Sequence, residues 1–420
     1  IGLHGGQRPD SVTGSRAVPI YQSVAFSFES EDEASSRFDI ARSGYAYSRI
    51  ANPTVAVLEE RLAMLEGGIG AVAAASGMAA IHLAIVTLAN AGSHIVASKT
   101  LYGGTHNLLS YTLPRFGITT SFVDTSDPDA FARAIKPNTV MLFTETVSNP
   151  DCSVADIPRL ASVAHEFGLP LVVDATLTTP YLMKPIEFGA DIVIHSLTKF
   201  IGGHGTTIGG VVIDGGVFDW LASAEKFPTL CQPYDGFDGL NFAEEFGPSA
   251  FIIRARREGL RDFGACLSAT SAFQLLQGVE TLSLRMARHV SNTEAVVDFL
   301  CEQEFVEQVF HPRLKEHRDH ELSRVLYPKG TGAVMSFEIK GGYGAAKKFI
   351  NELNLFSHLA NVGDAKSLVI HPASTTHSRM NNAALLQAGI SEGLVRLSIG
   401  LEDVSDLIAD LSKALYRSQK

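Results

Sequence analysis

The chain has 420 residues, too many for one small core and suited to two or three packed parts. It is 45% hydrophobic and 19% charged, the composition of an ordinary globular α/β protein. A formal net charge of −11 without a Lys/Arg cluster excludes a basic nucleic-acid groove, and four scattered cysteines with no C-x-x-C pair exclude a disulfide framework or a zinc site.

Residues 1–60 are rich in turn formers and aromatics and lack clean periodicity, apart from a helical stretch near 54–66. They read as an extended arm that packs on something else. Residues 67–98 contain no Asp, Glu, Lys or Arg and could be mistaken for a membrane span. Their Ala-rich character, Ser76-Gly77 near the middle, and His82 and Asn90 favour a short strand followed by a buried helix.

Short apolar runs then recur, "AVAAA" (71–75), "HIVAS" (94–98), "TTSFVD" (119–124), "VMLFTET" (140–146), "LPLVVDA" (169–175), "DIVIHS" (191–196) and "GGVVID" (209–214). Stretches of helical spacing such as "IPRLASVAHEFG" (157–168) separate most of them. Continuous apolar strands alternating with helices predict a mostly parallel sheet covered on both faces. Residues 220–250, dense in Gly, Pro and aromatics, read as a surface insertion, and 251–305 as strongly helical. The runs "AVMSFEI" (333–339), "SLVIHPA" (367–373) and "LVRLSIG" (394–400) predict a smaller α/β domain from about 290 to 420, after a large domain over 61–289. With no basic-then-apolar leader at its start, the chain is expected in the cytoplasm.

In open α/β sheets, ligands gather at the carboxyl ends of strands. Four such ends carry polar residues. Ser76, Gly77 and Met78 lie where a strand meets a helix, either an ordinary Ser-capped turn or an anion site made of backbone N–H groups. Asp174 ends the apolar run "LPLVVD", where a carboxylate needs a cation, a metal, a protonated ring nitrogen or a helix to cap. In "HSLTKFIGGHG" (195–205), Ser196 and Thr198 flank Lys199, and glycines follow that let the backbone turn tightly behind it. Most lysines after strands are solvated; a desolvated one can form a Schiff base. Tyr102 follows another strand, placed at a core edge or to stack on a flat ring. Together these residues ask for a ligand with a phosphate, a basic ring nitrogen, a flat face and an aldehyde. Pyridoxal 5′-phosphate (PLP) has all four. No metal is called for.

The chain resembles the Cys/Met-metabolism family of fold-type I PLP enzymes over essentially its whole length. "YSRIANPT" (47–54), "SGMAA" (76–80), "LYGGT" (101–105), "ETVSNP" (145–150), "VVDATLTTPYL" (172–182), "HSLTKFIGGHG" (195–205) and "VRLSIGLED" (395–403) carry the resemblance in the family's order. It implies an aspartate-aminotransferase-like large domain with a seven-stranded, mostly parallel sheet. It implies Lys199 as the Schiff-base lysine, Asp174 with Thr176 at the ring nitrogen, Tyr102 as the stacking ring and Asn149 near the ring. Ser76, Gly77, Met78, Ser196 and Thr198 would hold the phosphate. Arg396 would clamp the substrate α-carboxylate beside Asn361, where several relatives have serine. Tyr47 and Arg49 would reach the phosphate of a neighbouring subunit, with Tyr47 also near the substrate, making the arm a dimer contact in a homotetramer.

Within the family, residues 260–286, 361–377 and the 220–250 insertion look most like the sulfhydrylases that act on O-acetylhomoserine. That implies γ-replacement by sulfide or a small thiol, with Lys199 as shuttle base and Tyr102 and Tyr47 as candidates for proton transfer. Gly104 stands where methionine γ-lyases have cysteine. Departures such as "DATL" (174–177), "SLTK" (196–199) and "PYDG" (233–236) leave the second substrate open. The alternatives are a γ-lyase, or a γ-replacement enzyme of the same family using O-succinylhomoserine or a carbon or larger nucleophile, and more remotely a non-catalytic binding protein of this fold.

Overall fold

The computed structural model describes residues 1–38, 44–375 and 390–420. The last two residues of the 361–377 segment, Thr376 and His377, lie outside the described residues. Strands β1 (Gly70–Ala74), β2 (His94–Ser98), β3 (Thr119–Val123), β4 (Thr139–Glu145), β5 (Leu171–Asp174), β6 (Ile192–Ser196) and β7 (Gly210–Asp214) coincide with the seven apolar runs. They form one sheet in the order β1-β7-β6-β5-β4-β2-β3, and only β7 runs against its neighbours.

The sheet is buried because both of its faces are apolar. Leu142, Val173, Val193, Val211 and Ile213 point into one core. Phe143, Val172, Ile192, Ile194 and Val212 point into the other. Strand residues alternate between faces, so a two-sided sheet needs continuous apolar runs. Helix α1 (Pro53–Glu66) covers the first face, and α2 (Gly77–Leu88) covers the second. The α1 N-cap Asn52 accepts from the Thr54 N–H at 3.0 Å, and Gly67 closes the helix in the left-handed region.

A second sheet, β10-β11-β12-β9-β8, comprises β8 (Val306–Phe310), β9 (Val334–Ile339), β10 (Ser357–His358), β11 (Leu368–Ile370) and β12 (Leu394–Ser398). Its core includes Phe337, Phe349, Leu397 and Leu411. Helix α3 (Leu282–Cys301) joins the two halves. Leu282, Met286 and Val290 pack into the large-sheet core, whereas Val296, Val297 and Leu300 pack into the small-sheet core. On that ground we propose that the chain divides near residue 290.

The 220–250 stretch differs from the expected surface insertion. Trp220, Phe227, Leu230 and Phe242 are buried in the second core. Their aromatic area has to leave water, and Arg254 lies over the Tyr234 ring at 4.5 Å and the Phe242 ring at 5.2 Å. Residues 70–98 form strand, helix and strand, and among the described residues no helix is long and apolar enough to cross a membrane.

Asp214, at the end of β7, is buried, with Oδ1 accepting the Gly216 N–H at 2.8 Å and Oδ2 without a hydrogen-bond partner among the described residues. Burial pushes its carboxyl up to about 7. This value lies above the unfolded one, so stability from the neutral form is fully present below about pH 4. It is lost as pH rises through about 7. Asp214→Asn keeps the Gly216 bond and removes the titration. We expect urea melts to show a stabilisation about 1–3 kcal/mol larger at pH 8 than at pH 5. An equal effect at both pH values would show that the group does not titrate there.

Candidate active site

At the carboxyl ends of β1, β4, β5 and β6 lies a cavity of about 270 Å³. It brings together Ser76, Gly77, Met78, Tyr102, Asn149, Asp174, Thr176, Ser196, Thr198, Lys199, Asn361 and Arg396. A smaller cavity of about 170 Å³ shares Tyr102, Asn149 and Arg396 with it.

Lys199 follows β6, on a turn closed by Gly203, whose φ of +71° suits glycine. A Cβ at Gly203 would stand 2.0 Å from Arg285 Nη1. The Arg285 guanidinium itself donates to the Phe200 and Ile201 carbonyls at 2.6 and 3.0 Å, fixing the backbone just after the lysine. Before the lysine, His195 points to the other face and meets the buried Glu66 carboxylate at 2.6 Å. Lys199 is thus held from both sides. Its Nζ donates to Asn361 Oδ1 at 2.5 Å, and burial, reinforced by the Arg396 charge, lowers its pKa. A lowered ammonium pKa raises the share of free amine, the form that attacks a carbonyl.

Asp174 accepts the Thr176 N–H on Oδ1 at 2.9 Å, and the Thr176 hydroxyl accepts the Ser196 N–H at 2.8 Å. The helix at Thr179–Leu182 has Thr178 at its cap position and no side-chain cap, so Asp174 does not serve there. Burial raises the Asp174 pKa, and no ion pair among the described residues includes it. The carboxylate faces the cavity in need of a cation.

Ser76 both caps α2, accepting from Ala79 N–H at 3.1 Å, and lines the cavity. The first N–H groups of a helix have no partner within it, so those of Gly77 and Met78 are suited to an anion. A Cβ on Gly77 would lie 2.7 Å from Ser196 Cβ, which explains the glycine. The Thr198 hydroxyl is tied to Gly209, accepting its N–H at 3.1 Å and donating to its carbonyl at 3.2 Å.

Arg396 projects from β12, so the second sheet supplies the far wall. It is buried with no carboxylate partner among the described residues; its Nη1 donates to Asn149 Oδ1 at 3.4 Å and Nη2 to the Asn361 carbonyl at 3.1 Å. Its Nε has no hydrogen-bond partner among the described residues, and burial lowers its pKa to about 10. A buried guanidinium with an unused N–H is suited to an incoming carboxylate.

Tyr102 is half exposed rather than a core-edge side chain, and its backbone N–H donates to Glu145 Oε1 at 2.6 Å. Tyr47 and Arg49 do not line this cavity. They lie in a separate open groove with Tyr21, Asn52 and Cys266, the Arg49 guanidinium 5.4 Å from the Tyr47 ring and donating to the Arg261 carbonyl. Glu145 was not among the residues expected in the site. It lines the cavity at the end of the run "VMLFTE", the same signal that drew attention to Asp174.

PLP fits this donor set: an accessible amine, a carboxylate lacking a cation and a helix N-terminus opened by Gly77 converge on one cavity. The site is that of a PLP-dependent enzyme. The chain belongs to the Cys/Met metabolism PLP-dependent enzyme family, whose family model matches residues 1–416.

Among curated relatives, the chain is 49% identical to O-acetyl-L-homoserine sulfhydrylase of Leptospira meyeri, over 99% of this chain and 96% of the relative. It is 47% identical to homocysteine synthase of Schizosaccharomyces pombe, over 98% and 96% of the two chains. It superimposes with a TM-score of 0.96, at 40% identity and over 99% and 98% of the two chains, on a putative O-acetylhomoserine (thiol)-lyase of Campylobacter jejuni solved with a pyridoxyl-lysine monophosphate.

Proposed function

We propose that this chain catalyses γ-replacement on O-acetyl-L-homoserine, with sulfide or a small thiol displacing acetate to give L-homocysteine or its thioether. The observation that carries the reading is one cavity lined by Lys199, Asp174 and Arg396, an amine, an acid and a carboxylate clamp drawn from two sheets. The names of relatives 47–49% identical over nearly the whole chain support the choice of substrate.

PLP, when bound, supplies an aldehyde for an amine and a protonated ring that draws electrons from the substrate Cα. In this reading Lys199 Nζ anchors the cofactor, takes the Cα proton and later returns it. Asp174, oriented by Thr176, carries the negative charge at the ring nitrogen. Ser76, Gly77, Met78, Ser196 and Thr198 hold the phosphate, Asn149 meets the ring edge and Tyr102 covers the ring face. Arg396 receives the α-carboxylate through paired N–H groups, with Asn361 between it and Lys199. The acetate leaves from Cγ and the sulfur nucleophile takes its place, with Tyr102 a candidate to pass the proton.

Gly104 favours this reading over a γ-lyase with cysteine at that position. A Cβ there would lie 2.6 Å from Tyr102 Cε1, so any side chain would displace the ring. Tyr47, exposed, and Arg49, partly buried, lie in their own groove and would serve the site of a neighbouring chain in a cytoplasmic homotetramer.

The test is to give the purified, PLP-loaded protein O-acetyl-L-homoserine with and without sulfide, after measuring its mass by light scattering. Homocysteine and acetate that appear only with sulfide, from a four-chain particle, are expected. Sulfide-independent release of 2-oxobutyrate and ammonia would make elimination the activity.

A further inference from the structure

Glu145 is the carboxylate of this cavity to which no role has yet been assigned. It is the last residue of β4, buried, and in register with Asp174 on β5. Neighbouring strands lie about 4.8 Å apart, and both carboxyl groups line the same cavity. The one hydrogen bond its side chain makes among the described residues is to the Tyr102 N–H, at 2.6 Å. Tyr102 stands at the start of the short helix Gly103–Asn107, beyond the sheet, with its ring half exposed. No ion pair among the described residues includes Glu145, so a salt bridge does not account for its burial.

We propose that Glu145 is a positioning residue that sets where the Tyr102 ring stands over the cofactor, by holding the Tyr102 amide from the sheet. The inference rests on the reading of the Lys199 cavity as a PLP site.

Glu145 does this as a neutral acid. Two adjacent buried carboxyl groups cannot both ionise at modest cost, and Asp174 is the one that faces a ring nitrogen. Asp174 from β5 and Asp151 from the loop after β4 both act on Glu145 in the same sense, while Lys199 and Arg396 line the cavity outside ion-pair distance. Burial is the main influence and pushes its pKa well up; the Tyr102 N–H acts the other way. A neutral carboxyl still accepts the amide hydrogen bond through its carbonyl oxygen, and a glutamine would do the same.

Three holoenzymes test this: the parent, Glu145→Ala and Glu145→Gln. Glu145→Ala is expected to keep PLP on Lys199 but lose about 100-fold in kcat/KM, the cost of roughly 1 Å of misplacement. Its 100–106 segment should exchange amide hydrogens faster than the parent's. Glu145→Gln is expected to recover to within about threefold of the parent, with exchange restored. The pH midpoint of the bound cofactor's visible band should stay within about 0.2 units, since a neutral group replaces a neutral group.

Parent-like rates and exchange in Glu145→Ala would overturn the proposal, as would a Gln variant no better than Ala. A midpoint lowered by about one unit in Glu145→Gln would mean that a negative charge had been removed, and would overturn the neutral acid. If the Ala variant does not fold, Glu145→Met, which fills the space without an acceptor, decides the exchange result. A parent with no visible band and no borohydride label at Lys199 would point to failure of the site reading itself.

Discussion

Lys199→Ala is expected to abolish turnover, by at least about 10⁴-fold, while the protein folds and still takes up PLP through its phosphate contacts. The expectation comes from the absence of a substitute. Asn361, which accepts the Nζ hydrogen bond, cannot take up a Cα proton, and the other cation in the cavity, Arg396, has a pKa of about 10 even after burial. Among the described residues Lys199 is the one amine lining the cavity, and burial lowers its pKa. Borohydride reduction followed by peptide mass spectrometry should find the cofactor at Lys199 in the parent and no adduct in the variant. An active Lys199→Ala enzyme would refute the assignment.

Asp174→Asn is expected to cost about 10²–10⁴-fold in kcat and to weaken PLP binding. Breaking a buried ion pair from one side costs about 3–5 kcal/mol, and each 1.4 kcal/mol is tenfold in rate. The variant keeps the acceptor for the Thr176 N–H, so the fold is not at stake. Burial alone raises the Asp174 pKa, and a protonated ring nitrogen would supply the opposite charge that holds the ionised form. Asparagine offers no such charge. Rates and PLP affinity together decide: parent-like values in both would mean that the carboxylate faces something other than the ring.

The large sheet was legible from the sequence because strands buried on both faces must be continuously apolar, as "HIVAS" and "DIVIHS" are. Strand β8 was not, because "VEQVF" lies at the edge of its sheet with Glu307 and Gln308 exposed. The two-residue β10 is too short to leave a pattern. In the 220–250 stretch, Gly and Pro obscured aromatics that belong to the core. At the site, Lys199 and Asp174 could be picked out from local chemistry, since a charged group at the end of an apolar run needs a reason. Glu145 carried the same sign and was passed over inside "VMLFTET". Arg396 gives no local sign, because its partners Asn149 and Asn361 come from distant parts of the chain. Only the family resemblance pointed to it.

Helix α3 makes the amine and the guanidinium mechanically dependent on each other. Its 20 residues form a rod about 30 Å long, gripped at one end by the core beneath Lys199 and at the other by the core behind Arg396. Further ties run beside this strut, from the Ala365 N–H to the Gly203 carbonyl at 2.8 Å and from the Ser336 hydroxyl to the Pro150 carbonyl at 2.8 Å. The distance between a substrate's two anchors is therefore set by a helix and by cross-links in parallel.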